Sequence, residues 1–123
     1  MLFAVNGTLM RGLALNQNLI DVGATFVRED KTAPIYRLWS IDNKYPAMLR
    51  DPIGGAAIEI EVWDVSDVGL LKILQQEPPG LVVGRVKLSD DSEVLGVLAE
   101  AYVIEGQIEI TEFGGWRRYS QNV

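Results

Sequence analysis

The residues best suited to chemistry form an Asn-Gly-Thr-Leu segment near the start of the chain, at residues 6–9. The apolar run before it, residues 1–5, is typical of a buried strand, and the apolar spacing after it predicts a short helix over residues 13–22. A strand that stops at a glycine and leads into a helix leaves backbone N–H groups unpaired, and such groups attract anions such as carboxylates. The segment is therefore either a ligand-binding loop or a tight turn in which Gly7 supplies the permissive backbone angles.

Glu77 is the second candidate, because it stands at the predicted end of a helix, directly before the Pro-Pro-Gly corner at residues 78–80. Residues 64–67 offer an N-cap for that helix, and the prolines must end it because they remove backbone donors. A carboxylate at this end lies beside the negative pole of the helix dipole, which favours the protonated acid. Glu77 is therefore either a general acid/base, which needs such a shifted pKa, or a plain surface glutamate before a loop.

Two glutamates belong to the most regular strand pattern of the chain, residues 57–65, where polar and apolar residues alternate. Glu59 and Glu61 are two residues apart, so both carboxylates project from the same face of the sheet. If that face lines a cavity, the pair is suited to acid/base chemistry or to binding a hard cation. Otherwise it is a solvated sheet face, the usual place for acidic residues on strands.

The C-terminal segment, residues 112–119, combines aromatic and basic side chains. Trp116 and Tyr119 are three residues apart and share one face if the segment is helical. Two glycines precede them and let the backbone pass close to a neighbour. The segment is either an aromatic plug that closes the core or a wall in which Trp116 and Arg117 contact a ligand or a partner.

Composition excludes several kinds of site. The chain has 123 residues, no cysteine and no histidine, so disulfides, thiolate metal sites, histidine-based triads and ordinary zinc sites are ruled out. Acid/base chemistry therefore depends on carboxylates, tyrosines or lysines. The net charge of −6 argues against nucleic acid or an anionic membrane surface as a partner. With no signal-peptide pattern and no stretch suited to a membrane helix, we expect a cytoplasmic protein.

The remaining pattern predicts a strand-rich fold with few helices, and the length suits a single domain, residues 1–123. The predicted strands span residues 23–28, 35–41, 45–49, 57–65, 81–88, 93–104 and 108–111. Gly96, inside the longest of them, indicates a β-bulge.

Five segments of the chain carry a family resemblance. They are NGTLMRGLALNQNL at the start, APIYRLW, GGAAIEIEVW and LVVGRVKL in the middle, and ITEFGGWRRY near the end. Through them the chain, from about Leu2 to Tyr119, resembles the C-terminal domain of allophanate hydrolases. That domain belongs to the γ-glutamylcyclotransferase-like superfamily. The resemblance therefore implies an α+β fold, a small mixed β-barrel with two or three short flanking helices.

The resemblance also implies a site. In the cyclotransferases, a tyrosine-glycine-serine-leucine loop after the first strand binds the substrate through backbone N–H groups. The matching residues here are Asn6, Gly7, Thr8 and Leu9, so threonine replaces the serine and asparagine replaces the tyrosine. The family's catalytic glutamate, which lies after the helix that follows the central strand, matches Glu77 by position. Neither a cofactor nor a metal ion is implied.

Two hypotheses follow from the residues and the resemblance together. The first is a module that binds a small carboxylate or amide ligand between the loop and Glu77, with Trp116 and Arg117 as further ligand-binding residues. Such a module would serve as an accessory or assembly unit of an amidase, or form a homo-oligomer. The second is a cofactor-free γ-glutamyl cyclotransferase, an enzyme in which Glu77 is the general acid/base.

Overall fold

Eight strands and three α-helices lie within residues 1–122, the residues that the computed structural model describes. The strands are β1 Leu2–Val5, β2 Thr25–Lys31, β3 Tyr36–Ile41, β4 Tyr45–Arg50, β5 Glu59–Asp64, β6 Leu81–Lys87, β7 Glu93–Ala99 and β8 Ile108–Glu109. The helices are α1 Asn16–Asp21, α2 Asp67–Gln76 and α3 Trp116–Ser120, with two 3₁₀-helices at Ala101–Ile104 and Thr111–Phe113. A five-stranded sheet has the order β2-β5-β1-β7-β6, and a three-stranded sheet has the order β4-β3-β8.

β1 lies at the centre of the larger sheet, where apolar residues on both faces of a strand can be covered. Its residues Phe3, Ala4 and Val5 are all buried. β1 pairs antiparallel with β5 on one side and parallel with β7 on the other. Because β1 and β7 run in the same direction, the loop that follows β1 emerges beside Val97 of β7.

The predicted α+β class is confirmed, although the two sheets are not closed into a true barrel. The edge strands β2 and β6 of the larger sheet meet near their ends, at the bridge between Thr32 and Leu88. The N–H of Ala33 donates to the carbonyl of Lys87 at 2.9 Å beside this bridge. The larger sheet is therefore strongly curved, and its two edges approach each other only at this corner within residues 1–122.

One hydrophobic cluster joins both sheets and all three helices. Representative members are Leu38 of β3, Val62 of β5, Leu19 of α1, Ile73 of α2 and Trp116 of α3, each at most 5% exposed. The cluster follows from the apolar faces that the sequence pattern predicts for these elements. No helix among the described residues has the length and apolar character needed to cross a membrane.

α2 begins and ends at local signals in the sequence. Ser66 is its N-cap, and the Ser66 Oγ accepts a hydrogen bond from the N–H of Gly69 at 3.0 Å. Glu77 follows the last helical residue with extended backbone angles, φ −76° and ψ 149°. A residue before a proline is disfavoured in the helical region, so Pro78 fixes this end. Glu77 consequently lies at the junction between α2 and β6.

The strand predicted over residues 93–104 is wrong in its C-terminal part. β7 ends at Ala99, and a 3₁₀-helix, Ala101–Ile104, follows. Ala99 pairs with Leu81, the first residue of β6, so the partner strand begins opposite this point. The helix predicted over residues 13–22 is likewise shorter, because α1 covers Asn16–Asp21.

The β-bulge predicted at Gly96 is also wrong, since β7 pairs with β6 in regular register throughout. A Cβ atom on Gly96 would lie 2.6 Å from Val86 Cγ2 and 3.1 Å from the carbonyl oxygen of Ala4. Glycine in a strand marks either a bulge or a close approach of neighbouring atoms, and here it is the second. The absence of a side chain lets β6 and β1 pack tightly on either side of β7.

Candidate functional site

Asn6 connects the loop after β1 to the surrounding strands. It is 4% exposed, and its Nδ2 donates to the carbonyl of Val97 at 3.0 Å and to the Sδ of Met48 at 3.8 Å. The residue that stands where the cyclotransferases carry tyrosine therefore uses its amide group to join β1, β4 and β7. Its side chain lines a cavity without offering that nitrogen to a ligand.

Hydrogen bonds to the carbonyl groups of residues 7–9 hold the loop in place. Each of the three carbonyls accepts one hydrogen bond from further along the chain. The bonds are Met10 N–H to Gly7 at 3.0 Å, Leu15 N–H to Thr8 at 2.9 Å and Asn16 Nδ2 to Leu9 at 2.9 Å. The N–H groups of the same three residues have no acceptor among residues 1–122. The loop is thus ordered through its acceptors while three donors stay available, which is the arrangement of an anion-binding turn.

Glu77 lines the same cavity as Asn6, Gly7, Thr8 and Leu9, so the structure brings these five sequence-predicted site residues together. Glu77 is half-buried, and this burial raises the pKa of its carboxyl from 4.5 to about 7. The sequence predicts a raised pKa from the helix dipole, whereas desolvation is the cause in the folded chain. A carboxyl with this pKa is present in both protonation states near neutral pH.

The cavity between the loop and Glu77 is small, about 20 Å³. Such a volume holds roughly one water molecule, whereas small-molecule sites usually measure ~300–1,000 Å³. Pro46 and Tyr45 form the opposite wall, and a Cβ atom on Gly7 would lie 2.5 Å from Pro46 Cδ. A ligand larger than water therefore requires these side chains to move. Sequence patterns gave no signal for this wall, because Tyr45 and Pro46 belong to a strand of the other sheet.

Tyr45 is the residue of this wall whose pKa is affected by the charge of Glu77. Burial is the main cause that raises the pKa of its phenol, and the negative charges of Asp42 and Glu77 act in the same direction, as does Tyr102. The phenol therefore stays protonated at neutral pH and keeps its O–H as a donor. Tyr45 and Glu77 together are the polar side chains with ionisable protons around this cavity.

Glu61 lies elsewhere and is not on a solvated sheet face, so that prediction is wrong for this residue. It is 2% exposed and accepts four hydrogen bonds. The donors are Arg11 N–H at 2.9 Å, Arg11 Nε at 3.2 Å, Trp63 Nε1 at 3.1 Å and Arg117 Nη2 at 3.2 Å. These side chains cover the face of β5 from which the carboxylate projects. Glu59, two residues earlier, stays partly exposed beside Arg118 at 3.6 Å.

A second, larger cavity of about 480 Å³ lies along β2 and β5. Its polar lining includes Glu29, Lys31, Glu59, Glu61 and Arg117. Four donors, namely the backbone N–H of Arg11, two guanidinium groups and the Trp63 indole, occupy the acceptor sites of the Glu61 carboxylate, so no site is left to accept a substrate proton. Within residues 1–122, no group of three or more aspartates and glutamates is arranged to hold a metal ion.

The structure separates Trp116 and Arg117 from the other sequence-predicted site residues. Trp116 is 5% exposed and packs against Tyr119, with ring centroids 5.6 Å apart. Arg117 lines the larger cavity rather than the one beside Glu77. The predicted aromatic plug is confirmed by this packing, because α3 buries both rings in the core.

Comparison with known proteins identifies the family. The family model described as the allophanate hydrolase C-terminal domain matches residues 1–121. The chain belongs to this family. A solved structure of a uropathogenic E. coli-specific protein is 52% identical to it, with a TM-score of 0.96 and coverage of 99% of this chain and 96% of the other. Allophanate hydrolase of Kluyveromyces lactis is 27% identical, with a TM-score of 0.93 over 98% of this chain and 21% of that chain.

Urea amidolyase of Saccharomyces cerevisiae is a curated relative, 30% identical over 94% of this chain. The chain spans 7% of the length of the curated relatives that it matches. In these relatives the family domain is thus one part of a much longer protein.

A more distant structure, an aig2-like protein of Mus musculus, is 19% identical with a TM-score of 0.61 over 83% of this chain and 77% of that chain. This likeness concerns the fold alone. It agrees with the γ-glutamylcyclotransferase-like fold that the sequence predicts.

Proposed function

We propose that this allophanate hydrolase C-terminal domain binds a small carboxylate or amide ligand between the loop of residues 6–9 and Glu77. The observation that supports the proposal is the set of three N–H groups without acceptors, on Gly7, Thr8 and Leu9, that line one cavity together with a half-buried carboxyl. Oxygen atoms of a carboxylate or an amide are the acceptors that such donors bind. Protonated Glu77 adds a further donor and removes a repelling charge.

The ligand is small, and the site opens to admit it. The cavity of about 20 Å³ is bounded by Tyr45 and Pro46, and Glu77 belongs to a short connection between α2 and β6. Rotation of the Tyr45 side chain is the simplest movement that enlarges the space, because Tyr45 is the most exposed part of that wall.

A thermal-shift series tests this function. The probes are glutarate, 5-oxoproline, biuret and allophanate, each titrated at pH 6 and pH 8 against the full chain and against Glu77→Gln. A ligand at ~100 times its Kd stabilises the folded state by about 2.7 kcal/mol, a readily measured rise in Tm. We expect at least one carboxylate to raise the Tm, more strongly at pH 6 than at pH 8, and the pH difference to vanish in Glu77→Gln.

Glu105→Gln is the matched control for this series, because Glu105 is exposed and does not line the cavity. It should respond to every probe as the unaltered chain does. If none of the probes raises the Tm at either pH, the proposed ligand class is wrong.

The relatives support a role as an accessory or assembly module of an amidase. Proteins named allophanate hydrolase and urea amidolyase contain this domain as 21% and 7% of their length, so the fold occurs in them beside other domains. For this chain we expect either self-association or association with a separate amidase. Sedimentation velocity tests the first. Sedimentation of the purified chain mixed with an allophanate-hydrolysing amidase tests the second. A monomeric boundary for the chain alone, together with two separate boundaries in the mixture, counts against the role.

A second candidate function is cofactor-free cyclotransfer, and the pKa of about 7 on Glu77 favours it. The α-amine of a γ-glutamyl amide attacks the γ-carbonyl; the ring C–N bond forms, the amide C–N bond breaks, and 5-oxoproline and a free amine result. Glu77 takes a proton from the attacking ammonium group and returns one to the leaving nitrogen. The N–H groups of Gly7, Thr8 and Leu9 stabilise the oxyanion.

Release of 5-oxoproline from a γ-glutamyl amide, followed by mass spectrometry, tests this candidate. Loss of a general acid/base typically lowers turnover by ~10²–10⁴-fold, so Glu77→Gln should abolish most of the product. Equal product from both proteins, or none from the unaltered chain, contradicts it.

A further inference from the structure

We propose that Glu61 and Arg117 are positioning residues for the loop of residues 6–9, although they line the other cavity. Together they bind both main-chain groups of Arg11, and we call these two side chains the Arg11 clamp. The inference rests on the ligand site proposed above, because it explains how that site is kept in shape. The proposal assigns a function to Glu61 and Arg117, neither of which lines the cavity beside Glu77.

The clamp contacts the backbone of Arg11 from two directions. Glu61 Oε1 accepts the N–H of Arg11 at 2.9 Å, and Arg117 Nη2 donates to the carbonyl of Arg11 at 2.9 Å. The same Arg117 nitrogen reaches Glu61 Oε2 at 3.2 Å, which joins the two clamp residues to each other. The main-chain donor and acceptor of one loop residue are therefore both bound by side chains from β5 and α3.

The side chain of Arg11 strengthens this attachment. Its Nε donates to Glu61 Oε2 at 3.2 Å, its Nη2 pairs with Glu29 at 2.7 Å, and its guanidinium lies 3.6 Å from the centre of the Phe26 ring. Hydrogen bonds between charged partners are the stronger class, and the buried Glu61 carboxylate accepts two from guanidinium groups, one from Arg11 and one from Arg117. Removal of its charge would leave two guanidinium groups without their shared partner.

The clamp is connected to the ligand loop through one turn of backbone. Met10 precedes Arg11, and the N–H of Met10 donates to the carbonyl of Gly7 at 3.0 Å. Arg11 is thus the first residue after a turn that begins at Gly7, the first of the three residues with available N–H donors, and that Met10 closes. If the clamp is released, the position of Gly7 and of the donors after it depends on this one bond and on those to Leu15 and Asn16.

The chain offers a matched control for each clamp residue. Glu59 is on the same strand and the same face as Glu61, but it is half-exposed and pairs only loosely with Arg118, 3.6 Å away. Arg118 follows Arg117 in α3 and is exposed. Glu61→Gln removes the charge and one acceptor oxygen of the clamp, and Arg117→Ala removes its guanidinium, whereas Glu59→Gln and Arg118→Ala change the same residue types nearby and leave the clamp intact.

Amide hydrogen exchange in ¹⁵N-labelled, ligand-free protein provides the first readout. We measure the exchange rates of the Arg11 and Met10 amides relative to that of Ala4 in β1, which reports on the stability of the whole domain. A lost hydrogen bond to a charged group corresponds to about tenfold or more in an equilibrium constant, so this ratio should rise at least tenfold in Glu61→Gln and Arg117→Ala. It should not change in the two controls. A merely structural effect of Glu61 would accelerate all three amides alike and leave the ratio constant.

Affinity for glutarate, measured by titration of the same labelled samples, provides the second readout. We expect the Kd to rise about tenfold in the clamp variants and to stay constant in the controls. An unchanged exchange ratio, or an increased ratio with an unchanged Kd, overturns the proposal. If Glu61→Gln does not fold, the exchange ratio and the Kd of Arg117→Ala decide whether the proposal holds. If the unaltered chain does not bind glutarate, the ligand site itself is in error, and the exchange ratio alone then decides whether the clamp orders the loop.

Discussion

At the scale of single residues, Glu77 shows how a fold gives one carboxyl group an unusual property. Asp51 and Asp90 have the opposite behaviour: hydrogen bonds from the backbone N–H groups of Gly54 and Ile53 lower the pKa of Asp51, and those from the hydroxyl and then the N–H of Ser92 lower the pKa of Asp90. Glu77 is half-buried beside apolar wall residues, and desolvation raises its pKa to about 7. Its charge therefore changes in the pH range where cells work, and stability should follow.

We predict that stability falls as pH rises across the range set by Glu77. The pKa is about 7 in the folded chain against 4.5 ordinarily, so between these values the folded state binds more protons than the unfolded state. The stability that the protonated carboxyl provides is complete below pH 4.5 and is lost as pH rises through about 7, in total ~3 kcal/mol. In urea unfolding at pH 5 and pH 8, the free energy of unfolding of the unaltered chain should fall by about this amount between the two pH values. Glu77→Gln should not show this fall, and Glu105→Gln should show it in full. Parallel pH profiles for all three would contradict the assignment.

At the scale of elements, the sequence predicts those boundaries that local signals determine. Ser66 and Pro78 mark the ends of α2, and both signals act on the backbone within a few residues. The end of β7 and the environment of Gly96 depend instead on β6 and β1, which reach β7 only in the folded sheet. Glu61 is a similar case: its strand was predicted, but its burial depends on Arg117, 56 residues away.

Gly96→Ala is predicted to destabilise the sheet more than Gly84→Ala, although the two glycines pair directly across β6 and β7. A Cβ atom on Gly96 would meet the stiff side chain of Val86 at 2.6 Å and the carbonyl oxygen of Ala4 at 3.1 Å. On Gly84 it would meet only the flexible end of Leu98, at 2.9 Å. Overpacking of a core typically costs ~1–3 kcal/mol, which we expect for Gly96→Ala in urea unfolding. Equal losses for both variants would show that β1 and β6 adjust to the extra atom.

At the scale of the whole molecule, the ligand loop and Glu77 could be placed together only through the family resemblance. Residues 6–9 and Glu77 lie at least 68 residues apart in the chain, and no periodicity relates them. The size of the cavity could not be predicted at all, because Tyr45 and Pro46 come from the smaller sheet. α3 contacts both sheets: Arg117 reaches β5, and the Tyr119 hydroxyl donates to Asn43 beside β4 at 2.5 Å.

Trp116→Ala should therefore destabilise the entire domain rather than fray its last helix. Trp116 is 5% exposed within the common core, and truncation of a buried tryptophan typically costs ~3–5 kcal/mol, a large share of the ~5–15 kcal/mol of a whole domain. Because α3 contacts both sheets, we expect one cooperative urea transition at a lower midpoint with an unchanged m value. Arg118→Ala, on the exposed side of the same helix, should change stability by less than about 0.5 kcal/mol. A small loss for Trp116→Ala, with a separate early transition, would mean that α3 unfolds independently and does not join the sheets.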